Sequence, residues 1–562
     1  MNFKIFLPPQ FFPSLLTLFI LFTSSCSKSK NDNIQVSDGT TIKISVNGLA
    51  DGGFFEELSA SSRLSSSRKV KETNEEITIS AGDVEALVYQ IDKNLNSGKD
   101  EKLANKSEFK SEAKFLKSAI SPLNNMVKYR LLIYDQNNNL VHNKVASVGT
   151  DPVLGVNKGW TYKWYSYSTN QTSGVPDINA NGIVSKTGLS NKDVLYASGT
   201  ISTVAGNNHL DILFKRKTSR IQTRINVRGM FGLINDGTSV SLVQSNSQGN
   251  PVVTMGDLNV YSGNFSNISS VNSSVSGADM QLDNATEGSS VKIANFYTLN
   301  ISNFLPGSIA VNLAPLKIKL DDNRERTFNS LQFSLPKALE PQIGSTHMAT
   351  LRLVESPILV KGVYWARTNL IYDAGKLDKY RLKSMPGGSD ASRKDQDFWN
   401  WMAETPTSPS SNFDACSKLY PEGTWKMPTI SDWQNMGQPD GKEERMGLFV
   451  GADYGFFWDK QASYPNNAAY DDNRLYISFG GYRTTSGNVS GSPAGILLGA
   501  AASGQCDYWS SSNHNTNQAK AVYSSMSKLF WIFSWGDISY PNRNKSEGRN
   551  VRCIRAKNNP IS

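Results

Sequence analysis

The chain has 562 residues, a formal net charge of +9 and only 19% charged residues. That length exceeds a single core and sets an expectation of roughly two to four domains. The Gly-, Ser-, Asn- and Thr-rich composition, with strand formers in short bursts, argues against a helical protein and for exported all-β domains. The positive charge is spread along the chain. Its densest clusters, residues 63–71 and 215–228, lack the aromatic interleaving and the helix of a nucleic-acid module. They read as a basic loop and a solvated strand face, and no nucleic-acid partner is expected.

In chain order, Lys4 gives a thin positive start and residues 11–22 form a 12-residue apolar run. A bilayer span needs roughly 20 apolar residues, so this run reads as a secretory signal. It ends in Thr23-Ser24-Ser25-Cys26. The pattern resembles a bacterial lipoprotein signal, which implies lipidation of Cys26 and attachment to the outer membrane. Thr23 stands where Leu is usual, and the alternative is an ordinary cleaved signal with a chance cysteine. No other long apolar segment follows, so the rest is expected to be soluble and outside the cytoplasm. The expected divisions are a signal over 1–25, a tether over 26–39, β-sandwiches over 40–230 and 231–357, and a different domain over 358–562.

Residues 41–46 alternate, with Ile42, Ile44 and Val46 on one face: a half-buried strand. Residues 59–74 are a Ser-, Arg-, Lys- and Glu-rich loop without periodicity, a preferred place for proteolysis. Strands are predicted at 77–79 and 84–91. Residues 129–134 and 140–141 flank an Asn-rich turn and read as a hairpin. The aromatic segment 160–167 (WTYKWYSY), 194–196, 210–214 and 220–227 follow. In the last, Ile221, Ile225 and Val227 face one side, and Arg220, Gln222 and Arg224 the other. Strands so spaced, without amphipathic helices between them, argue for a β-sandwich. A second block contains predicted strands at 240–243, 252–255, 258–261, 291–299, 309–313, 316–320, 331–335 and 348–354. Residues 264–276 read as turns.

From about residue 358 the chain changes. Nine of its eleven tryptophans lie here, as do Cys416, Cys506 and Cys553. In an oxidising compartment two of these three are expected to pair, and spacing alone does not fix which. His142, His209, His347 and His514 are isolated, with no second ligand at metal spacing. No nucleophile elbow, P-loop or dinucleotide fingerprint is present, so no enzymatic activity is expected. Acidic stretches 453–459 and 471–473 could hold calcium as lectin-like loops do; no other cofactor is expected.

Three segments resemble the fimbrillin (type V pilin) superfamily of Bacteroidetes surface lipoproteins: 129–141 (YRLLIYDQNNNLV), 160–170 (WTYKWYSYSTN) and 194–225. The resemblance covers roughly residues 35–355 and implies two transthyretin-like β-sandwiches. It also implies a mechanism. An arginine-specific protease cuts the loop after the first strand, here at Arg63 or Arg68, and the lipidated strand 41–46 leaves. A donor strand from another fimbrial subunit then fills the groove. The last third resembles the Fibrobacter major paralogous domain through residues 363–370 (VYWARTNL), 425–429 (WKMPT) with Trp433, 480–483 (GGYR), 508–512 (YWSSS) and 548–555 (GRNVRCIR). That resemblance implies a loop-rich α+β fold related to C-type lectins and formylglycine-generating enzymes, and a Cys416–Cys553 disulfide. Cys506 is read as a buried or unpaired thiol. Trp458, Trp531 and Trp535 lie between the matching motifs and are candidate ligand-stacking aromatics.

The expected protein is mainly β: a fimbrial tip or accessory subunit whose last domain adheres to a surface glycan or a host or bacterial protein. The alternative is a permanently lipid-anchored glycan-binding protein or fimbrial anchor.

Overall fold

The computed structural model describes residues 39–50, 77–81, 84–93, 121–384, 394–446, 452–463, 469–470, 473–492, 502–529 and 532–556. Cys26, Arg63, Arg68 and Trp531 lie outside them. The protein is mainly β, with a few single-turn helices such as Ile430–Asn435. No helix among the described residues is long and apolar enough to cross a membrane.

The first sandwich has two layers. Leu140–Ser147, Lys128–Tyr134, Thr161–Ser168 and Leu195–Ser202 form one, and Asn207–Arg216, Thr41–Leu49 and Val153–Gly155 the other. Only two registered pairs, Lys215 with Tyr196 and Arg216 with Leu195, join the layers along one corner. Alternation along each strand sends Ile42, Ile44, Leu131, Ile133, Trp164, Ile212 and Phe214 into the space between them. Gly199 is required by this packing: a Cβ there would stand 2.9 Å from the Trp164 ring. The opposite face of the first layer is also covered near its centre. Leu132 and Tyr167 pack there with Val184, Leu258 and Val260. Lys128–Tyr134 is therefore buried on both faces near its centre.

The second sandwich packs a six-stranded sheet against two smaller ones. The central pair of the large sheet is Ser219–Gly229 running parallel to Thr346–Glu355. Its core holds Ile221, Ile225, Phe296 and Leu351 against Leu242, Val311, Ile318 and Phe333.

Hydrogen bonding corrects the division expected at residue 230. Val84–Lys93 pairs with Thr346–Glu355, so the hairpin Ile77–Ala81/Val84–Lys93 belongs to the second sandwich. Ser219–Gly229 belongs there too. Conversely, Thr254–Asn259 pairs with Ile183–Val184 and packs beneath the first sandwich. Strand alternation identifies an element that needs a partner but not which partner. The stretch 264–276, read as turns, forms strands Asn264–Ser270 and Ser274–Ser276. Asn264–Ser270 is an exposed edge strand, so its polar residues were free of any core pattern.

The basic face of Ser219–Gly229 is not solvated. Arg220 is buried beside Thr346. Arg224 pairs with Asp283 at 2.6 Å and with Glu287 at 3.1 Å. Arg228 pairs with Asp378 at 2.6 Å. Arg216 meets the buried Asp193 at 3.1 Å, and Asn170 donates to the same carboxylate. The cationic row is a set of inter-element ties, a role that charge counting does not distinguish from a solvated face.

The last domain is built around tryptophans. Trp365, Trp399, Trp425, Trp433, Trp458 and Trp509 are all fully buried. Cys416 and Cys553 form a disulfide, Cα–Cα 5.7 Å, inside this core. Trp399 donates from Nε1 to the Leu370 carbonyl, and Trp509 to the Trp399 carbonyl. Thr429 and Asp432 cap Ile430–Asn435 reciprocally. Because 137 residues separate the bridged cysteines, reduction, or the Cys416→Ser/Cys553→Ser pair, is expected to destabilise the last domain by up to about 5 kcal/mol. Denaturant melts with and without reductant check this, and coincident curves would contradict it.

Candidate functional site

The candidate site is the first strand and the groove it fills. Thr41–Leu49 lies parallel to Asn207–Arg216 through eight registered pairs, with a bulge at Asn47. Its outer edge meets Val153–Gly155 over Thr41 to Lys43 only. Beyond that edge pairing, Ile44 donates to the Pro152 carbonyl at 2.9 Å, and Leu49 exchanges bonds with Ser121. Asn208 donates from Nδ2 to the Thr41 carbonyl, and Thr41 Oγ1 to Asn207 Oδ1. Lys43 and Asp151 form an exposed ion pair, which contributes little. The strand is held by backbone pairing and by a row of buried side chains, Ile42, Ile44 and Leu49, with Val46 half-buried.

Connectivity makes this strand separable. It reaches residue 50, and the next described residues, from 77, belong to the second sandwich. Among the described residues, the first sandwich resumes at residue 121. Burial of three aliphatic side chains contributes about 5–9 kcal/mol. That is comparable with the whole stability of an ordinary domain, about 5–15 kcal/mol. An empty groove therefore demands another strand of the same apolar spacing.

A second feature is the joint between the second sandwich and the last domain. Glu355 is buried and receives Arg326 at 3.3 Å. Arg555 reaches across from the last domain to Glu85 at 2.7 Å and to the Glu355 carbonyl at 2.8 Å. Tyr470, from the last domain, lies in the core of the second sandwich between the guanidinium groups of Arg326 (4.3 Å) and Arg367 (3.9 Å). Phe231 makes the reciprocal insertion, joining the last domain's core, while its carbonyl accepts from Arg381. Burial raises the Glu355 carboxyl above the ordinary range, opposed by Arg326, Arg367 and Arg555.

Of the expected ligand aromatics, Trp458 and Trp535 lie among the described residues. Trp458 is 1% exposed and packs against Phe456, so it is a core residue without a face for a ligand. Trp535 is half-buried, leaning on Phe456 and Phe479 with Lys442 beside it. Residues 453–459 run within strand Ala452–Asp459 rather than as an acidic loop. Cys506 is unpaired and fully buried, and burial pushes its thiol far above the ordinary range. It is not poised as a nucleophile. His347 is buried against Ser345, and His142 meets the Gly155 carbonyl. Among the described residues no three His, Cys, Asp or Glu side chains converge on a metal-sized site.

Sequence reasoning missed an aromatic group on the first sandwich: Tyr134, Tyr165 and Tyr261. The available signal was parity, since Tyr134 follows the core residue Ile133 and Tyr165 follows the core residue Trp164. Each of these two must point away from that core.

No family model matches the chain, and no curated protein matches it. Among solved structures, a candidate cell adhesion protein from Bacteroides fragilis aligns at 13% identity and TM-score 0.32, covering 57% of this chain and 97% of its own. A candidate cell adhesion protein from Bacteroides ovatus aligns at 14% and 0.24, covering 57% and 96%. The fimbrial anchor protein Mfa2 from Porphyromonas gingivalis aligns at 12% and 0.20, covering 39% and 78%.

Two outcomes are expected. A chain starting after residue 50 loses the first sandwich's melting transition, and adding the peptide TIKISVNGL restores it; an unchanged transition without peptide would contradict the groove energetics. Glu355→Ala, which strands buried guanidinium groups, destabilises the protein by about 3–5 kcal/mol. Denaturant titration reads this, and a change within error would show that the joint is solvated.

Proposed function

We propose that this protein is a cell-surface fimbrial subunit, of tip or accessory type, that mediates adhesion without catalysis. In this reading Cys26 carries the lipid that brings the chain to the outer membrane. A cut at Arg63 or Arg68 releases the first strand, and a donor strand from another subunit replaces it. The observation that carries the reading is the separability of Thr41–Leu49: an apolar row with parallel backbone pairing, followed by an exit into a different sandwich. The sequence resemblance to fimbrillins supports it, because both candidate arginines fall between that strand and the next hairpin. The C-terminal domain, lectin-like by resemblance, is the adhesive head. No cofactor is part of this reading.

Bolting the head to the second sandwich suits a subunit that transmits load from its ligand to its neighbours. The largely buried Arg555–Glu85 pair and the reciprocal insertion of Tyr470 and Phe231 oppose separation of the two domains.

The test is mass spectrometry of the mature N-terminus recovered from cells. A start just after Arg63 or Arg68 is expected, and Arg63→Ala/Arg68→Ala should abolish it together with assembly into higher-order species. A persistent lipidated start at Cys26 would sink the strand-exchange reading and leave an anchored glycan-binding protein or a fimbrial anchor.

A further inference from the structure

We propose that the outer face of the first sandwich, where Tyr134, Tyr165 and Tyr261 meet beside Lys163, is a binding site for an acidic saccharide chain. The site is separate from the strand groove and from the head.

Three elements build it. Tyr134 ends strand Lys128–Tyr134, Tyr165 lies in Thr161–Ser168, and Tyr261 sits on the turn after Thr254–Asn259. Their ring centroids are 5.5–5.9 Å apart in edge-to-face contacts. The Tyr134 and Tyr261 hydroxyls are 3.0 Å apart. Tyr261 is 41% exposed. It is seated over Gly182, where a Cβ would stand 2.2 Å from the ring and where φ is +71°. Only glycine accepts both conditions.

Register fixes what lies beside the rings. Tyr134 opposes Lys163, Tyr165 opposes Ser198, and Lys163 opposes Thr200. Directly opposed residues share a face of the sheet. Lys163, Ser198 and Thr200 are all exposed. The face is thus a strip of aromatic surface edged by hydroxyls and one ammonium. Lys163 Nζ donates to Asn138 Oδ1 at 3.0 Å, a neutral acceptor, and no carboxylate pairs with it among the described residues.

That chemistry selects a ligand. The C–H face of a sugar ring packs on aromatic carbon while its hydroxyls bond to phenol, serine and threonine oxygens. The Tyr134 and Tyr261 hydroxyls share one hydrogen bond, which leaves one of their two phenol protons to donate to a ligand. The unpaired Lys163 charge calls for a carboxylate, as a uronic acid carries. A peptide would ask for deep apolar pockets instead, and a nucleic acid for a row of cations.

Affinity electrophoresis of the full mature chain in gels containing polygalacturonate tests the proposal, with dextran and polyglutamate gels as references. Retardation is expected in polygalacturonate alone. Lys163→Gln should weaken it by about tenfold or more, the scale of one charge-assisted hydrogen bond, and Tyr261→Leu should weaken it by removing the exposed ring, while the remote exposed Lys319→Gln leaves it unchanged. Lys163 is exposed, so its variant reads binding without risk to folding, and thermal melting verifies Tyr261→Leu. Absence of retardation in the parent, equal retardation in polyglutamate, or full retention by Lys163→Gln would each overturn the site. None of these outcomes depends on whether the first strand is shed, so the site and the assembly scheme fail separately.

Discussion

The pairing of Thr41–Leu49 with Asn207–Arg216 is the constraint on which the first sandwich depends. Among the described residues the thin layer has three strands, and this one is central to it, between Asn207–Arg216 and the three-residue Val153–Gly155. Without it, Val153–Gly155 has no partner and Leu210, Ile212 and Phe214 lose their neighbours Ile42 and Ile44. Beside it, the layers are joined by two registered pairs and by contacts such as Tyr129 on Phe214. A domain built this way is stable only with its groove filled, and the groove specifies little beyond apolar residues at alternate positions. That combination of strong demand and weak specification suits exchange of one strand for another.

The other end of the molecule follows the opposite logic. The second sandwich and the last domain trade aromatic residues, Phe231 one way and Tyr470 the other. Around them guanidinium groups are buried with carboxylates and carbonyls: Arg326 on Glu355, Arg555 on Glu85, Arg381 on Asp321 and the Phe231 carbonyl, and Arg228 on Asp378. Buried ion pairs add little net stability over apolar packing, but removing one partner is severe. They fix orientation rather than supply binding energy. The joint is therefore tied by particular residue pairs, while the first-strand groove is filled by an apolar row and backbone pairing.

Much of the fold was legible because alternation is a local property. Strands near 84–91, 129–134, 309–313 and 316–320 stand close to where the side-chain pattern puts them. What was not legible is partnership. Val84–Lys93 follows the first strand in sequence but pairs with Thr346–Glu355, more than 250 residues away. Nothing in Val84, Ala86 and Val88 distinguishes one apolar core from another. The arginines of Ser219–Gly229 show the same limit. Their alternation is plain, but the acidic partners Asp283, Glu287 and Asp378 lie far along the chain. In the last domain, indoles inside a matching motif and indoles outside it, such as Trp425 and Trp458, are equally buried. A tryptophan-dense sequence does not say which rings a ligand can reach.

The tyrosine strip follows from a property of the two strands that the first core already uses. In Lys128–Tyr134 and Thr161–Ser168, Leu131, Ile133, Tyr162 and Trp164 commit one face to the sandwich interior. Period two then forces Leu132, Tyr134, Tyr165 and Tyr167 to the other face. Packing under the Thr254–Asn259 hairpin covers Leu132 and Tyr167 and leaves Tyr134 and Tyr165 at its margin. A one-residue slip would drive Lys163 into the core and strand Trp164 in water, so the register that stabilises the sandwich also holds the tyrosines in place. Rings positioned by a core in this way are preorganised: a ligand meeting them need not order them first.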